Sequence, residues 1–189
     1  MFVLKPKAQI VAAAALALLM AVTRVHHFGI GNIAPDASTG VFFLAGLLVA
    51  PVWFLGALLV EAVALDAFAI GWVKVADACM SSGYALLAPA YGALWFAGRA
   101  LRGVEKIDVV TAGKFVCFVV AGTAVFFIIS NLGYFLGSEF YTLGIGEYVS
   151  RVTRYFPMYL TVTLFYVAFG LAVYAAARRI VPVQTASVR

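Results

Sequence analysis

The sequence predicts an all-α, polytopic membrane protein: one bundle of six transmembrane helices with both termini in the cytoplasm. Three observations carry this reading. First, 65% of the 189 residues are hydrophobic and only 11% are charged, against about 25% charged in a soluble domain. Too little polar surface exists to cover a water-soluble globule, so lipid must solvate the outward helix faces. Second, the apolar residues fall into long runs separated by short polar connections. Third, the net charge of +5 is concentrated between and beyond those runs. That pattern belongs to membrane orientation rather than to nucleic-acid binding.

The runs divide into helices over residues 8–23, 36–50, 52–66, 77–98, 109–133 and 155–177, all in a single domain spanning 1–189. The first follows Lys5 and Lys7 and has the look of a signal peptide, but Arg24, Val25, His26 and His27 follow it with no small-residue cleavage site. It is read as a retained helix. Asp36 or Ser38 would cap the second. Pro51 breaks the pattern before the third, which is expected to end at Asp66; the first three helices would then be shorter than the roughly 20 residues that span a bilayer comfortably. Asp77 would cap the fourth.

An alternative joins residues 40–65 into one Pro-kinked helix and gives five spans. Charge decides between them. With six spans Lys5, Lys7, Arg99, Arg102, Lys106, Lys114, Arg178, Arg179 and Arg189 share the interior, against Arg24, Lys74, Arg151 and Arg154 outside. With five, the N-terminal lysines move opposite to the rest. Six spans obey the positive-inside rule better.

This topology sorts the chemistry. The outer connections, 24–35, 67–76 and 134–154, hold His26, His27, Phe28, Asn32, Trp72, Lys74, Glu139, Glu147, Tyr148 and Arg151 among glycines and aromatics. An ordinary aromatic belt explains Trp and Tyr at helix ends but not the long third connection. The outer face is therefore expected to bind something arriving from outside. Cys79 lies near the start of the fourth helix, where a thiol pKa falls and a soft thiolate ligand is favoured; a lone helical cysteine is otherwise a small buried hydrophobe. Cys117, mid-helix, reads as packing. The two cysteines form no CxxC pair and indicate neither a disulfide nor a zinc site. Asp66, expected at a helix C-terminus where the dipole disfavours it, needs a partner or a ligand. Glu61 falls near mid-bilayer, either functional or a protonated or hydrogen-bonded glutamate between helices. The adjacent His26 and His27 point about 100° apart on a helix, so they cannot both ligate one haem; they are either solvated loop histidines or one of them hydrogen-bonds a ligand amide or phosphate, with His27 and Phe28 the expected contacts. Ala13, Ala17 and Ala21 repeat every four residues, which admits close approach of a helix from this chain or from another subunit.

The run Ala34-Pro35-Asp36-Ala37-Ser38, then Phe42-Phe43-Leu44-Ala45-Gly46, Ala50-Pro51, Gly56 and Asp66 is similar to the S-components of energy-coupling-factor (ECF) vitamin transporters. Within that group the chain most resembles the BtuM family of vitamin B12 transporters, chiefly through Cys79-Met80-Ser81-Ser82-Gly83-Tyr84. The resemblance implies a six-helix bundle of S-component type in the bacterial inner membrane, with its cavity near the outer face. It implies that Cys79 ligates the cobalt of cobalamin as the vitamin's own base is displaced. The alanine stripe of the first helix would meet the membrane-embedded coupling subunit of a module completed by two ATPases, if one is used.

Cobalamin is a corrin rimmed by amides, with one phosphate, and suits an aromatic, hydrogen-bonding surface. Asp66, Tyr84, Tyr91, His27, Phe28 and Arg151 are the expected contacts, with Tyr84 and Tyr91 seven residues apart on one helical face. A thiolate below cobalt would weaken the bond above it, so bound cyanocobalamin could lose cyanide. No cofactor of the protein's own is expected.

Two rivals stand beside this. An S-component for riboflavin, biotin or a similar vitamin would use the same aromatic pocket, although an anionic vitamin would call for more cations than Arg24, Lys74 and Arg151. A small membrane enzyme would rely on Cys79, since no GxSxG, HExxH or CxxC occurs. The absence of GxxxxGK[ST] places any ATP chemistry on another chain.

Overall fold

The computed structural model describes residues 4–24, 34–73, 82–104, 108–137 and 144–180. It is all-helical over these residues, with α1 (Pro6–Arg24), α2 (Ser38–Leu48), α3 (Trp53–Val73), α4 (Leu87–Ala100) preceded by a 3₁₀ segment Ser82–Leu86, α5 (Val109–Gly137), α6 (Ile145–Thr153) and α7 (Phe156–Ile180). Four of them, α1, α3, α5 and α7, are long and apolar enough to cross a membrane. The protein is membrane-embedded, and large apolar side chains such as Val11, Trp53, Val60, Ile128 and Phe165 point outward.

The chain reverses at Pro51, as expected. α2 ends at Leu48 and α3 begins at Trp53; Pro cannot continue the helix hydrogen-bond ladder. Asp66 of α3 returns to Ser38 at the start of α2 by way of their common partner Arg24. A single kinked helix over 40–65 is thereby excluded. α3 does not stop at Asp66: the apolar stretch after it carries the helix to Val73, 21 residues in all. Asp66 is thus inside a helix, and the expectation of a dipole-disfavoured helix end is corrected. Within the span expected for the fourth helix, Ser82–Leu86 is 3₁₀ and the α-helix runs only from Leu87 to Ala100; Asp77 lies outside the described residues. α5 runs four residues past the expected end, and α7 begins at Phe156 with Pro157 in its first turn, where a missing N–H costs nothing. Asp108 caps α5 by accepting from the Thr111 amide at 2.7 Å, which holds its carboxyl below the ordinary carboxylate range. α6, inside what sequence reads as a loop, is amphipathic: Tyr148 is buried, while Glu147 and Arg151 pair across its exposed face at 2.6 Å.

All eleven residues of α2 are buried. A helix that is apolar all round belongs in a core, and α2 packs against α1, α3, α4, α5 and α7. Glycines set its closest approach. A Cβ on Gly46 would strike the Trp95 carbonyl oxygen, and one on Gly98 the Phe43 carbonyl oxygen. The α2 and α4 backbones therefore touch directly, the close packing that small residues permit between membrane helices. Gly83 and Gly133 do the same between the 3₁₀ segment and α5. Ala13 and Ala17 of α1 pack, half-buried, on this chain's own core; the outward face of α1 is Ile10, Val11, Leu18 and Val22. Cys117 is exposed rather than packed.

Adding a side chain at these contacts forces backbones apart. Gly46→Val or Gly98→Val is expected to destabilise the bundle by about 1–3 kcal/mol or more, read as a lower Tm of the detergent-solubilised protein. Gly56→Ala, where an added Cβ meets nothing within 4 Å, is expected to leave Tm unchanged or slightly raised, since alanine is the better helix former.

Candidate functional site

One guanidinium organises the polar interior. Arg24, the last residue of α1, is 6% exposed and faces α3. Its Nε donates to Asp66 Oδ1 at 2.7 Å and its Nη2 to Asp66 Oδ2 at 2.6 Å. This two-pronged geometry is the strongest form of the Arg–carboxylate pair. Nη1 donates to Ser38 Oγ at 3.0 Å and to Tyr91 Oη at 2.8 Å. The pair thus ties α1 to α2, α3 and α4. Tyr84 Oη donates to Asp66 Oδ2 at 2.6 Å. Ser38 passes the chain on: its N–H and Oγ–H both donate to Asp36 Oδ1, at 2.9 and 2.6 Å. Asp36 therefore caps α2 from two residues upstream of its first turn.

Above this network lies a cavity of about 570 Å³ lined by Arg24, Pro35, Asp36, Thr39, Asp66, Gly83, Tyr84, Leu87, Tyr91, Phe126, Ser130, Asn131, Tyr134, Met158, Tyr159 and Val162. It opens at the end of the bundle where α1, α3 and α5 finish and α2, α4 and α7 begin. Its aromatic wall is continuous: Tyr91 stacks on Phe42 with ring centroids 4.2 Å apart and leans on Phe126 at 4.9 Å, and Phe126 approaches Tyr159 at 6.3 Å. Tyr148 of α6 donates to the Asn131 carbonyl at 2.7 Å, anchoring α6 to the helix that supplies the cavity's Asn131. A mostly apolar hollow with a few converging polar groups is the ordinary form of a small-molecule site.

Of the expected contacts, Asp66, Tyr84 and Tyr91 come together here. They sit in α3, the 3₁₀ segment and α4, so the seven-residue spacing of the tyrosines crosses a change of helix type. Asp66 has its partner, Arg24, so its burial needs no ligand. Arg151 does not join them: it is exposed on α6 and paired with Glu147. Cys79, His27 and Phe28 lie outside the described residues, as do His26 and Lys74. Ala21 is half-buried on α1. Glu61 is half-buried at the flank of the α3 stripe Phe54, Leu58, Ala62, Asp66 and accepts no hydrogen bond among the described residues.

Sequence reasoning missed Arg24, assigned to an outer connection, and Asp36, read only as a cap. The available signal was charge economy: a carboxylate and an arginine flanking apolar runs at the same end of a bundle can each stay buried only with the other.

No family model matches the chain, and comparison with the curated proteins finds no match.

Breaking a buried pair strands a charge. Asp66→Ala or Arg24→Ala is expected to cost about 3–5 kcal/mol, seen as a large fall in Tm in detergent. The double substitution Arg24→Met/Asp66→Leu is expected to be more stable than either single alanine variant. Singles no less stable than the double would show that the pair does not hold these helices.

Proposed function

We propose that this protein binds cobalamin at the cavity end of the bundle and carries it across the bacterial inner membrane, as a transporter of the BtuM and S-component kind rather than an enzyme. The observation that carries the reading is the convergence of Asp66, Tyr84 and Tyr91 on one hollow beside Gly83, only four residues from Cys79. α1, α2, α3, the 3₁₀ segment with α4, α5 and α7 alternate in direction, which supports six crossings with α6 at one surface. Lys5, Lys7, Arg99, Arg102, Lys114 and Arg178 belong to the end opposite the cavity. By the positive-inside rule that end is cytoplasmic and the cavity faces out.

In this reading the aromatic wall receives the corrin, and the fixed polar groups of the Arg24 network face its rim of amides. The Cys79 thiolate, a soft donor, ligates the cobalt, and its donation weakens the bond on the opposite face, so cyanocobalamin loses cyanide slowly once bound. Coupling to ATP, where it occurs, runs through an ECF module of a membrane subunit and two ATPases that would approach α1. The cavity volume favours a second reading: about 570 Å³ is in the range for drug-sized ligands, which suits riboflavin or biotin more readily than a whole corrin.

Titration of the purified protein with cobalamin, riboflavin and biotin, read by calorimetry and absorbance, separates these. Cobalamin is expected to bind with a shifted visible spectrum, and Cys79→Ala to lose at least about tenfold in affinity, some 1.4 kcal/mol. Binding of riboflavin or biotin alone, indifferent to Cys79→Ala, would overturn the cobalamin reading.

A further inference from the structure

The cavity's charges are unevenly spent. Its described lining holds one cation, Arg24, and two carboxylates, Asp36 and Asp66. Asp66 is consumed: both oxygens take Arg24, and Oδ2 also takes Tyr84. Arg24 gives four hydrogen bonds, to Asp66, Ser38 and Tyr91, and it is almost wholly buried. Asp36 is not consumed. Its Oδ1 is filled by the Ser38 N–H and hydroxyl. Its Oδ2 stands 3.7 Å from Arg24 Nη1, too far for a hydrogen bond, and accepts none among the described residues. The side chain is 23% exposed. Among the described lining residues two carboxylates thus answer one cation, and Asp36, in a longer ion pair with Arg24, keeps an Oδ2 that accepts no hydrogen bond.

We propose that Asp36 sets the ligand class of this cavity: it accepts a hydrogen bond from an N–H donor, amide or ammonium, and turns away a carboxylate or phosphate placed at the same point. Attraction and exclusion come from one group. An N–H donor completes the open acceptor, whereas an anion meets a like charge with no cation besides Arg24 among the described lining residues to answer it, and repulsion of that kind separates ligands as effectively as a new contact. The proposal rests on the cavity being the ligand site. It names the part of the ligand that lies at the α2 end: neutral or cationic, nitrogen-rich, with any phosphate held away from Asp36.

A test that needs no ligand reads the potential directly. In a Cys79→Ala/Cys117→Ser background, Ser130→Cys places a single thiol in the cavity wall. Its rates of modification by cationic trimethylammonium-ethyl and anionic sulfonato-ethyl methanethiosulfonate are compared with those of free mercaptoethanol. The cationic reagent is expected to be favoured by at least about fivefold beyond the free thiol, on the scale of one unit charge in a partly desolvated cleft. Asp36→Asn is expected to remove most of that preference with Tm unchanged within a few degrees. A ratio equal to the free thiol's, a ratio insensitive to Asp36→Asn, or a thiol that neither reagent reaches would overturn the proposal.

Cobalamin and its monocarboxylates, each with one peripheral amide hydrolysed, give the second arm. At least one acid isomer is expected to bind about tenfold more weakly than cobalamin, with Asp36→Asn narrowing the gap. Equal binding of all isomers refutes the role of Asp36 while leaving the cobalamin reading intact. Failure of cobalamin itself to bind refutes that reading, and the thiol arm still decides the charge rule.

Discussion

The buried pair of Arg24 and Asp66 is the constraint on which the rest of this structure depends. Each charge alone would be expensive in a membrane-embedded bundle, and the two are affordable only as a bidentate pair with every remaining donor satisfied. Satisfying them requires α1 to end beside α3, Ser38 to sit at the start of α2, and Tyr91 and Tyr84 to arrive from α4 and its 3₁₀ lead-in. Five segments are thus fixed in relation to one another by one ion pair, Tyr84 joining through Asp66. Apolar contact with lipid supplies no comparable force, because lipid tails are as apolar as leucine. The polar knot therefore contributes register where the hydrophobic effect cannot, and the glycine contacts between α2 and α4 contribute proximity.

The helical class, the membrane character and the break at Pro51 were legible in the chain, because composition, run length and a missing N–H act locally. The ends of elements were not. Residues 67–73 are apolar enough to continue α3, and only the charge of Asp66 suggested a stop; that charge is neutralised by a residue 42 positions away, which no local pattern reveals. α6 escaped for a different reason. Nine residues flanked by glycine, with one buried tyrosine, offer too few periods to distinguish an amphipathic helix from a polar loop.

The site was legible in half. Asp66, Tyr84 and Tyr91 stand out in the chain and share one cavity, though the helix end that marks Asp66 out does not exist. Arg24 was in view as an outer charge but not as the hub, since pairing is a tertiary property. Arg151 was grouped with the others because it shares their end of the bundle; the structure gives it to Glu147 instead. Ala13 and Ala17 left two partners open, and their packing on this chain's own core supplies one of them.

The eleven residues of α2 span about 16 Å, roughly half the hydrocarbon depth. The hollow lies toward its amino end, with Asp36 and Thr39 among the lining residues. Capacity in this protein is consequently a matter of helix length before it is a matter of side chains: one turn more at the amino end of α2 would carry the helix about 5.4 Å further toward the hollow, and one turn less would withdraw it by as much. Resizing the chamber for a bulkier or slimmer guest needs no change in the surrounding staves, only in how far the central plug reaches.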